Sequence, residues 1–240
     1  GGPAIVFTFD PHPVRILRPR RAPAPLTWTD RKADLLAELG IDALIAFPTD
    51  EAFLRLSPYE FFDRVVREAL GARAVVEGSS FFFGRDRQGN VGLLRQLCSE
   101  AEITLDIVEP VRIDDQVVSS SRVRALVAEG RMAEVCRLLT QPYRIRGRVV
   151  HGAGRGARLG YPTANLGDVA TLLPAEGIYA GRAWADGAWR PAAISLGPNP
   201  TFNEGGLKVE AHLLDYHGDL YDRPLEVDFL TQLRNIIKFA

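Results

Sequence analysis

Residues 143–166 read YRIRGRVVHGAGRGARLGYPTANL, and they mark the point where the chain changes from alternating strands and helices to strands alone. Residues 143–150 form a β-type run, and a loop follows. Among its residues are the glycines and arginines that suit a ligand site: Gly152, Gly154, Gly156, Gly160, Arg148, Arg155 and Arg158. Glycines let a backbone approach a ligand closely with its N–H groups pointing inward, and guanidinium groups supply positive charge. The stretch therefore predicts a phosphate site, with a nucleotide phosphate as the expected ligand.

The end of this loop indicates a second property. The hydroxyl of Thr163 and the amide of Asn165, in the turn Pro-Thr-Ala-Asn, could coordinate a hard cation or its bound phosphates. The Gly-Lys-Ser/Thr ending of a Walker P-loop is missing, and the glycine spacing does not fit a dinucleotide-binding fingerprint. A flexible, solvated hairpin loop is the alternative interpretation.

Composition places the chain among ordinary globular enzymes. Its 240 residues are 46% hydrophobic, which is enough for one large or two small cores, and the formal net charge is −1. A charge this small gives no global field for nucleic acid or an anionic membrane, and no apolar run is long enough to span a bilayer. We expect a cytoplasmic protein. The two cysteines, Cys98 and Cys136, are predicted to be small hydrophobic residues rather than a disulfide or a zinc site.

The first half alternates between strands and helices. Apolar runs predict strands, and capping signals predict the helices between them, in the order strand 4–9, helix 29–39, strand 43–47, helix 58–70, strand 74–77, helix 91–99, strand 104–108 and a helix that starts in 119–121. Such alternation with short connections predicts a doubly wound parallel sheet covered on both faces, whose ligands lie beyond the carboxyl ends of the strands.

Three loops in this half are candidate sites. The first, 10–13, contains Asp10 and His12. The second, 78–87, combines aromatic and charged residues, and the third, 119–124, gathers serines at a helix N-terminus that would suit an anion. Each loop also has a structural interpretation: His12 shapes a turn, residues 81–83 are core, and the serines cap the helix.

The second half predicts a small barrel. A helix over 131–140 leads into β-type runs at 143–150, 177–185, 188–196, 207–214 and 225–230, with Asp186-Gly187 as a hairpin turn. Several short strands in this much chain indicate a small closed antiparallel barrel. We place the domain boundary near residue 139, which gives domains 1–138 and 139–240.

One strand of this half carries the best catalytic candidate. In Val-Glu-Ala-His-Leu, residues 209–213, the apolar side chains share one face, so Glu210 and His212 project from the other. A carboxylate there could accept a proton from a hydroxyl that attacks a phosphoryl group. A solvent-facing glutamate without a catalytic role is the alternative.

Over essentially its whole length the chain resembles the bifunctional riboflavin kinase/FMN adenylyltransferase (FAD synthetase) family of bacteria. The resemblance is carried by 152–165 with its Pro-Thr-Ala-Asn ending, by 196–202 (LGPNPTF), by 209–212 (VEAH) and by Leu220-Tyr221. It implies that Thr163 binds Mg²⁺ and the ATP phosphates with help from Asn165, and that Glu210 is the base for the ribityl hydroxyl of riboflavin. It further implies that the glycines and arginines of 152–159 form a flap over the nucleotide, and that Asn199 contacts the flavin.

The first half resembles the adenylyltransferase module of the same family, which transfers AMP from ATP to FMN and releases pyrophosphate. The matching positions that would bind the nucleotide are Asp10, His12, Phe83, Gly84, Arg85, Ser119, Ser120, Ser121 and Arg124. The family module opens with a further strand and a His-x-Gly-His motif, and the sequence before Asp10 supplies neither. Either this sequence is a portion of a longer chain, or its adenylyl transfer is lost.

The expected ligands are small molecules: riboflavin, FMN and ATP, with Mg²⁺ as cofactor and with no nucleic acid or membrane partner. The oligomeric state stays open. Two alternatives remain at this stage. One is a flavin- or nucleotide-binding regulatory module without catalysis. The other is an RNA-binding barrel, against which the near-neutral charge argues.

Overall fold

A computed structural model describes residues 2–152, 154, 156, 160–199 and 204–237, with only the backbone described for Arg21, Asn199 and residues 204–206. The chain forms two compact units. The first comprises Gly1–Pro23 and Ala33–Val117, and the second comprises Ala24–Lys32 and Val118–Ala240. The helices at 120–128 and 132–139 thus belong to the second unit, while the functional boundary near residue 139 stays a prediction.

The first unit contains parallel strand pairs and the helices that connect them. Its strands are β1 (Ile5–Phe9), β2 (Ala43–Phe47), β3 (Ala74–Gly78), β4 (Phe82–Phe83), β5 (Gly89–Asn90), β6 (Thr104–Val108), β7 (Arg112–Ile113) and β8 (Gln116–Val117). Strand β1 pairs with β2 and strand β3 with β6, both in parallel, as the alternating pattern predicted. The carboxyl end of β1 leads into the loop that contains Asp10, and Gly84 directly follows β4.

Helices lie between these strands along the chain. They are α1 (Pro13–Leu17), α2 (Thr29–Glu38, which crosses between the units), α3 (Glu51–Leu54), α4 (Pro58–Phe61) and α5 (Val91–Glu100). The predicted capping box at Ser57 is confirmed, since its hydroxyl accepts from the N–H of Glu60 and the Glu60 carboxylate accepts from the N–H of Ser57. After one α-turn the helix continues as a π-helix over Phe62–Ala69, which the apolar spacing did not predict.

The second unit is built around a closed six-stranded antiparallel barrel with the strand order β10-β13-β12-β11-β14-β9. Its strands are β9 (Tyr143–Val150), β10 (Ala164–Gly167), β11 (Gly177–Ala185), β12 (Ala188–Asn199), β13 (Glu204–Leu213) and β14 (Pro224–Arg234). Helices α6 (Ser120–Ala128) and α7 (Met132–Leu139) precede it. The predicted doubly wound plus barrel architecture is confirmed.

Alternation along the strands builds the barrel core. Every second residue of β9 and β11 is buried, and Ile145, Tyr179, Ile194, Ala211 and Phe229 are all fully enclosed. Across the described residues, no helix is long and apolar enough to cross a membrane. Within the same residues, no cluster of three or more histidine, cysteine, aspartate or glutamate side chains could hold a metal ion.

Candidate functional site

The ladder between β10 and β13 brings two predicted site residues face to face. Asn165 lies opposite Glu210 in register, and Ala164 lies opposite Ala211. The two alanines are buried in the barrel, whereas Asn165 and Glu210 are half-exposed, so both project from the outer face. Directly opposed residues of an antiparallel pair have Cβ atoms about 4.5–5.5 Å apart. An amide and a carboxylate therefore stand side by side on the barrel wall.

The glycine-rich loop is fitted against this pair. A Cβ atom added to Gly152 would come within 2.7 Å of Cγ of Asn165. The sequence predicted close approach of these glycines to a ligand, and the structure shows Gly152 in close approach to the side chain of a predicted phosphate-binding residue. At Gly156 a Cβ would lie against the carbonyl oxygen of Tyr161 and 3.4 Å from Oγ1 of Thr163. Two glycines thus let the loop pack beside both polar residues of the Pro-Thr-Ala-Asn turn.

His212 anchors the same turn. Its Nδ1 lies 2.8 Å from the carbonyl oxygen of Pro162, and because a carbonyl only accepts, Nδ1 carries the proton. The ring of Tyr161 meets the His212 ring edge-on, with centroids 5.6 Å apart. The predicted common outward face of Glu210 and His212 is confirmed, since both are half-exposed between the buried Ala211 and its apolar neighbours. Glu210 and the turn that carries Thr163 are therefore held by one strand.

A cavity of about 340 Å³ opens at the end of the barrel beside Thr163. It is lined by Val149, Pro162, Thr163, Ala164, Ala211, Leu213, Tyr216, His217, Gly218, Asp219, Leu220 and Tyr221. Aromatic and aliphatic walls with a few polar groups are typical of a site for a planar ring. The imidazole of His151 stacks on the ring of Tyr221, with the two ring centroids 4.0 Å apart.

The part of the cavity wall over 216–221 was largely missed at the level of sequence. Of this segment only Leu220 and Tyr221 were singled out, as part of a motif, whereas Tyr216 and Asp219 carry no periodic signal. Ser195 was also missed: it is the register partner of Glu210 on β12, on the side away from Asn165. A dense run of aromatic, histidine, glycine and aspartate residues directly after a strand, 216–221, is the signal that could have indicated the wall.

The remaining predicted kinase residues are placed as follows. Gly154 has φ of 65° and open space where a side chain would stand. Arg155 and Arg158 lie outside the described residues. The backbone of Asn199 is the register partner of Glu204, and its side chain is not described.

Candidates in the first unit are engaged in local structure. The N–H of Asp10 donates to the carbonyl of Phe47 at 3.0 Å, which prolongs the β1–β2 pairing. His12 caps α1, because its Nδ1 accepts from the N–H of Val14 at 3.3 Å. This capping corresponds to the turn-shaping interpretation of His12.

The aromatic loop is likewise part of the packing. Phe83 is 5% exposed, belongs to the core cluster and stacks on Phe81 at 5.5 Å. Gly84 has φ of 71°, and a Cβ there would come within 2.6–2.9 Å of Pro58 atoms. The N–H of Arg85 donates to the carbonyl of Leu56 at 2.6 Å, while the Arg85 side chain is 55% exposed.

The serine run lies in the second unit. Ser119 caps α6 by accepting from the N–H of Arg122 at 3.2 Å, and Ser120 and Ser121 are exposed in the first turn. Nε of Arg124 donates to the carbonyl of Ala24 at 3.0 Å. The nine adenylyltransferase candidates are thus divided between the two compact units, five in the first and four in the second.

Separate family models match the two parts of the chain. A riboflavin kinase family model matches residues 139–240, and an FAD synthetase model matches residues 1–122. The bifunctional riboflavin kinase/FMN adenylyltransferase of Pseudomonas fluorescens is 35% identical over 100% of this chain and 77% of its own length. The protein of the same name from Escherichia coli strain K12 is 31% identical over 99% of this chain and 76% of its own.

A solved structure shares the fold. The crystal structure of a macrolide-efflux protein from Streptococcus pneumoniae superposes with a TM-score of 0.87 at 30% identity and covers 99% of this chain and 78% of that one. The family models and the named relatives lead to the same assignment: the chain belongs to the bifunctional riboflavin kinase/FMN adenylyltransferase family.

Proposed function

We propose that the barrel unit transfers the γ-phosphoryl group of ATP to the terminal ribityl hydroxyl of riboflavin and so makes FMN. The observation that carries this proposal is the register match of Asn165 and Glu210 on the outer face, two residues from Thr163 at the mouth of the cavity. In this proposal the cavity takes the nucleoside and the outer face takes the alcohol. Phosphoryl transfer depends mainly on positioning and on neutralised charge, which suits such a site.

Each residue has a role in this proposal. Glu210 takes the proton from the hydroxyl as its oxygen forms a bond to the γ-phosphorus, and the bond from that phosphorus to the β–γ bridging oxygen breaks, which leaves ADP. The hydroxyl of Thr163 and the amide of Asn165 hold the phosphates. The packing of Gly152 against Asn165 fixes the orientation of that amide. Ser195 stands on the other side of Glu210, where it can bind the incoming hydroxyl chain.

The same residues fit Mg²⁺. The Thr163 hydroxyl and the Asn165 amide oxygen are hard oxygen donors, and Mg²⁺ accepts one or two such protein groups together with phosphate oxygens and water. Bound there, the ion would neutralise the charge of the phosphates. The chain would keep the amide and hydroxyl in place through the turn that His212 anchors.

The kinase proposal is tested by incubating the protein with riboflavin, Mg²⁺ and ATP and separating the flavins by chromatography. We expect FMN. Glu210→Gln should lower kcat by roughly 10²- to 10⁴-fold and leave ADP binding in place, because only proton transfer is lost. The matched control is Glu226→Gln, which removes another outward-facing carboxylate of the barrel, one that pairs with Arg144. Absence of FMN from the folded protein overturns the proposal, and equal loss in both variants removes Glu210 from the mechanism.

We propose for the first half the second activity of the family, in which a phosphate oxygen of FMN attacks the α-phosphorus of ATP and pyrophosphate leaves. The support is the N-terminus of α6, where Ser120 and Ser121 are exposed in the first turn and the positive end of the helix dipole suits an anion. Incubation with FMN, Mg²⁺ and ATP should yield FAD and pyrophosphate. If the protein binds FMN and ATP without forming FAD, the regulatory alternative holds for this half. A cytoplasmic location stays a prediction from the sequence.

A further inference from the structure

One wall of the barrel cavity is held by a carboxylate that does not line it. Tyr216 belongs to the wall, and its hydroxyl donates to Oδ2 of Asp186 at 2.7 Å. Asp186 lies in the two-residue turn between β11 and β12. The other carboxylate oxygen, Oδ1, accepts from the guanidinium of Arg223 at 2.8 Å. Asp186 thus joins the start and the end of the segment that follows β13.

The middle of the wall is fastened by the same guanidinium. Arg223 also donates to the carbonyl oxygen of Asp219 at 3.2 Å, and the side chain of Asp219 accepts from the N–H of Tyr221 at 2.9 Å. Gly218 lies against the phenol ring, since a Cβ there would be 2.5 Å from Cζ of Tyr216. The positions of the wall residues therefore depend on Asp186, which lies outside the wall.

This arrangement differs from an ordinary surface ion pair. An exposed pair of this kind contributes little to stability by itself. Here, however, one carboxylate receives a directional hydrogen bond from a phenol and another from a guanidinium. The bond from Tyr216 and the bond from Arg223 also lower the pKa of Asp186 from its usual value, which favours its ionised form. A wall that is ordered before the ligand arrives loses less conformational entropy on binding.

We infer that Asp186 is a positioning residue for nucleotide binding, which holds Tyr216 and the wall over 216–221 in the shape that receives the nucleoside of ATP. The inference rests on the proposed kinase function. Under this inference the turn that joins β11 to β12 affects the affinity for ATP. It affects neither the affinity for riboflavin nor the rate of the phosphoryl transfer step.

The backbone of the turn determines which variants are informative. Asp186 has φ of 49° and Gly187 has φ of 77°, values that glycine and asparagine adopt with little strain. Asp186→Gly therefore removes the carboxylate while keeping the turn. Asp186→Asn keeps the turn and one acceptor oxygen for the Tyr216 hydroxyl but loses the charge that Arg223 binds. Tyr216→Phe removes only the hydroxyl and keeps the ring in the wall.

The measurements are KM for ATP, KM for riboflavin, kcat, and the Kd of ADP by titration calorimetry. Asp186→Gly should raise KM for ATP and Kd for ADP by roughly three- to tenfold, the size of one or two net hydrogen bonds. We expect a smaller rise for Asp186→Asn, and kcat and KM for riboflavin within about twofold of wild type in both. The double variant of Asp186→Gly with Tyr216→Phe should bind ATP and ADP no more weakly than Asp186→Gly alone, since both changes break the same contact.

The control is Glu134→Gln, which breaks an exposed ion pair with Arg131 in the same unit, away from the residues that line the cavity. It should leave every constant unchanged. Unchanged ATP and ADP constants in Asp186→Gly overturn the inference, as does an equal fall in kcat and in the affinities for both substrates. If wild-type protein makes no FMN, the kinase proposal fails, while the ADP titration still decides the role of Asp186.

Discussion

In the barrel unit a closed hydrogen-bonded ladder decides which side chains meet, and it sets Asn165 opposite Glu210. In the first unit the candidate residues stand in loops, and there Phe83 fills the core while Gly84 fits against Pro58. In a strand the backbone ladder fixes each residue, so an outward side chain is free to bind a ligand. In a loop the side chain itself is often needed to hold the loop in place. The predicted motif residues of the barrel unit therefore meet in a candidate site, whereas some of those in the first unit serve the packing.

The largest expected effect tests the packing role of Phe83. Phe83→Ala should lower the free energy of unfolding of the first unit by about 4 kcal/mol, because it leaves a cavity in the cluster with Phe61 and Leu94. All three tryptophans of the chain, Trp28, Trp184 and Trp189, belong to the second unit, so urea unfolding must be followed by far-ultraviolet circular dichroism. Phe83→Leu is the control and should lose less. Unchanged stability with weakened ATP binding would make Phe83 a ligand contact instead.

The next prediction concerns the outer wall of the barrel. Asp228 is fully buried and receives hydrogen bonds from Nε of Arg144 at 2.6 Å and Nε of Arg182 at 2.8 Å. Asp228→Asn should destabilise the barrel by about 3 kcal/mol, since two cations lose their shared anion. Trp189 lies under both guanidinium groups, and all three tryptophans belong to this unit, so tryptophan fluorescence follows its unfolding. The control is Glu134→Gln on α7, which removes an exposed carboxylate that pairs with Arg131. An equal loss of unfolding free energy in both variants would contradict the prediction.

A third prediction asks whether the loop orients Asn165. Gly152→Ala should reduce kcat/KM for FMN formation roughly 10- to 100-fold, because the added methyl displaces the Asn165 amide. Gly154→Ala is the matched control in the same loop, as its side chain would enter open space and meet only the strain of a positive φ. Equal effects in the two variants would show that the loop backbone, and not the contact with Asn165, matters.

The smallest expected effect is a pH dependence in the first unit. Burial raises the pKa of the half-buried Glu77, against a hydrogen bond from the N–H of Gly78 that lowers it. The folded unit therefore binds more protons than the unfolded chain between the ordinary and the raised pKa, and its free energy of unfolding falls as pH rises through that window. Glu77→Gln should remove this slope in urea unfolding at several pH values. The exposed Glu109→Gln should retain it, and a slope that survives in Glu77→Gln contradicts the assignment.

Much of the fold was predictable because local rules determine it. The runs at 43–47, 104–108, 143–150 and 177–185 are strands with the predicted bounds, and the turn at Asp186-Gly187 has the expected positive φ angles. The short strand β10 was missed, because Ala-Asn-Leu-Gly has little β propensity and is held by its neighbours β9 and β13. Strand β14 is longer than its alternating stretch because β11 continues to pair with it.

The candidate site was predictable in part. Alternation alone put Glu210 and His212 on one face, but the partner of Glu210 depends on a register between distant strands. The wall formed by Tyr216 and Asp219, and its attachment to Asp186, require three separate segments to meet. Such contacts join residues that are far apart in the sequence, and they form only when the barrel closes.

The loop that carries the glycines joins β9 to β10, and these two strands are neighbours in the barrel. Its ends are therefore fixed by the ladder, whatever lies between them. Lengthening such a connection is inexpensive, since each doubling of a flexible loop disfavours closure by only about 0.6 kcal/mol. Extra residues could thus be inserted between Gly152 and Gly160 without changing the pairing of β9 with β10, which makes this segment a natural place to engineer the protein.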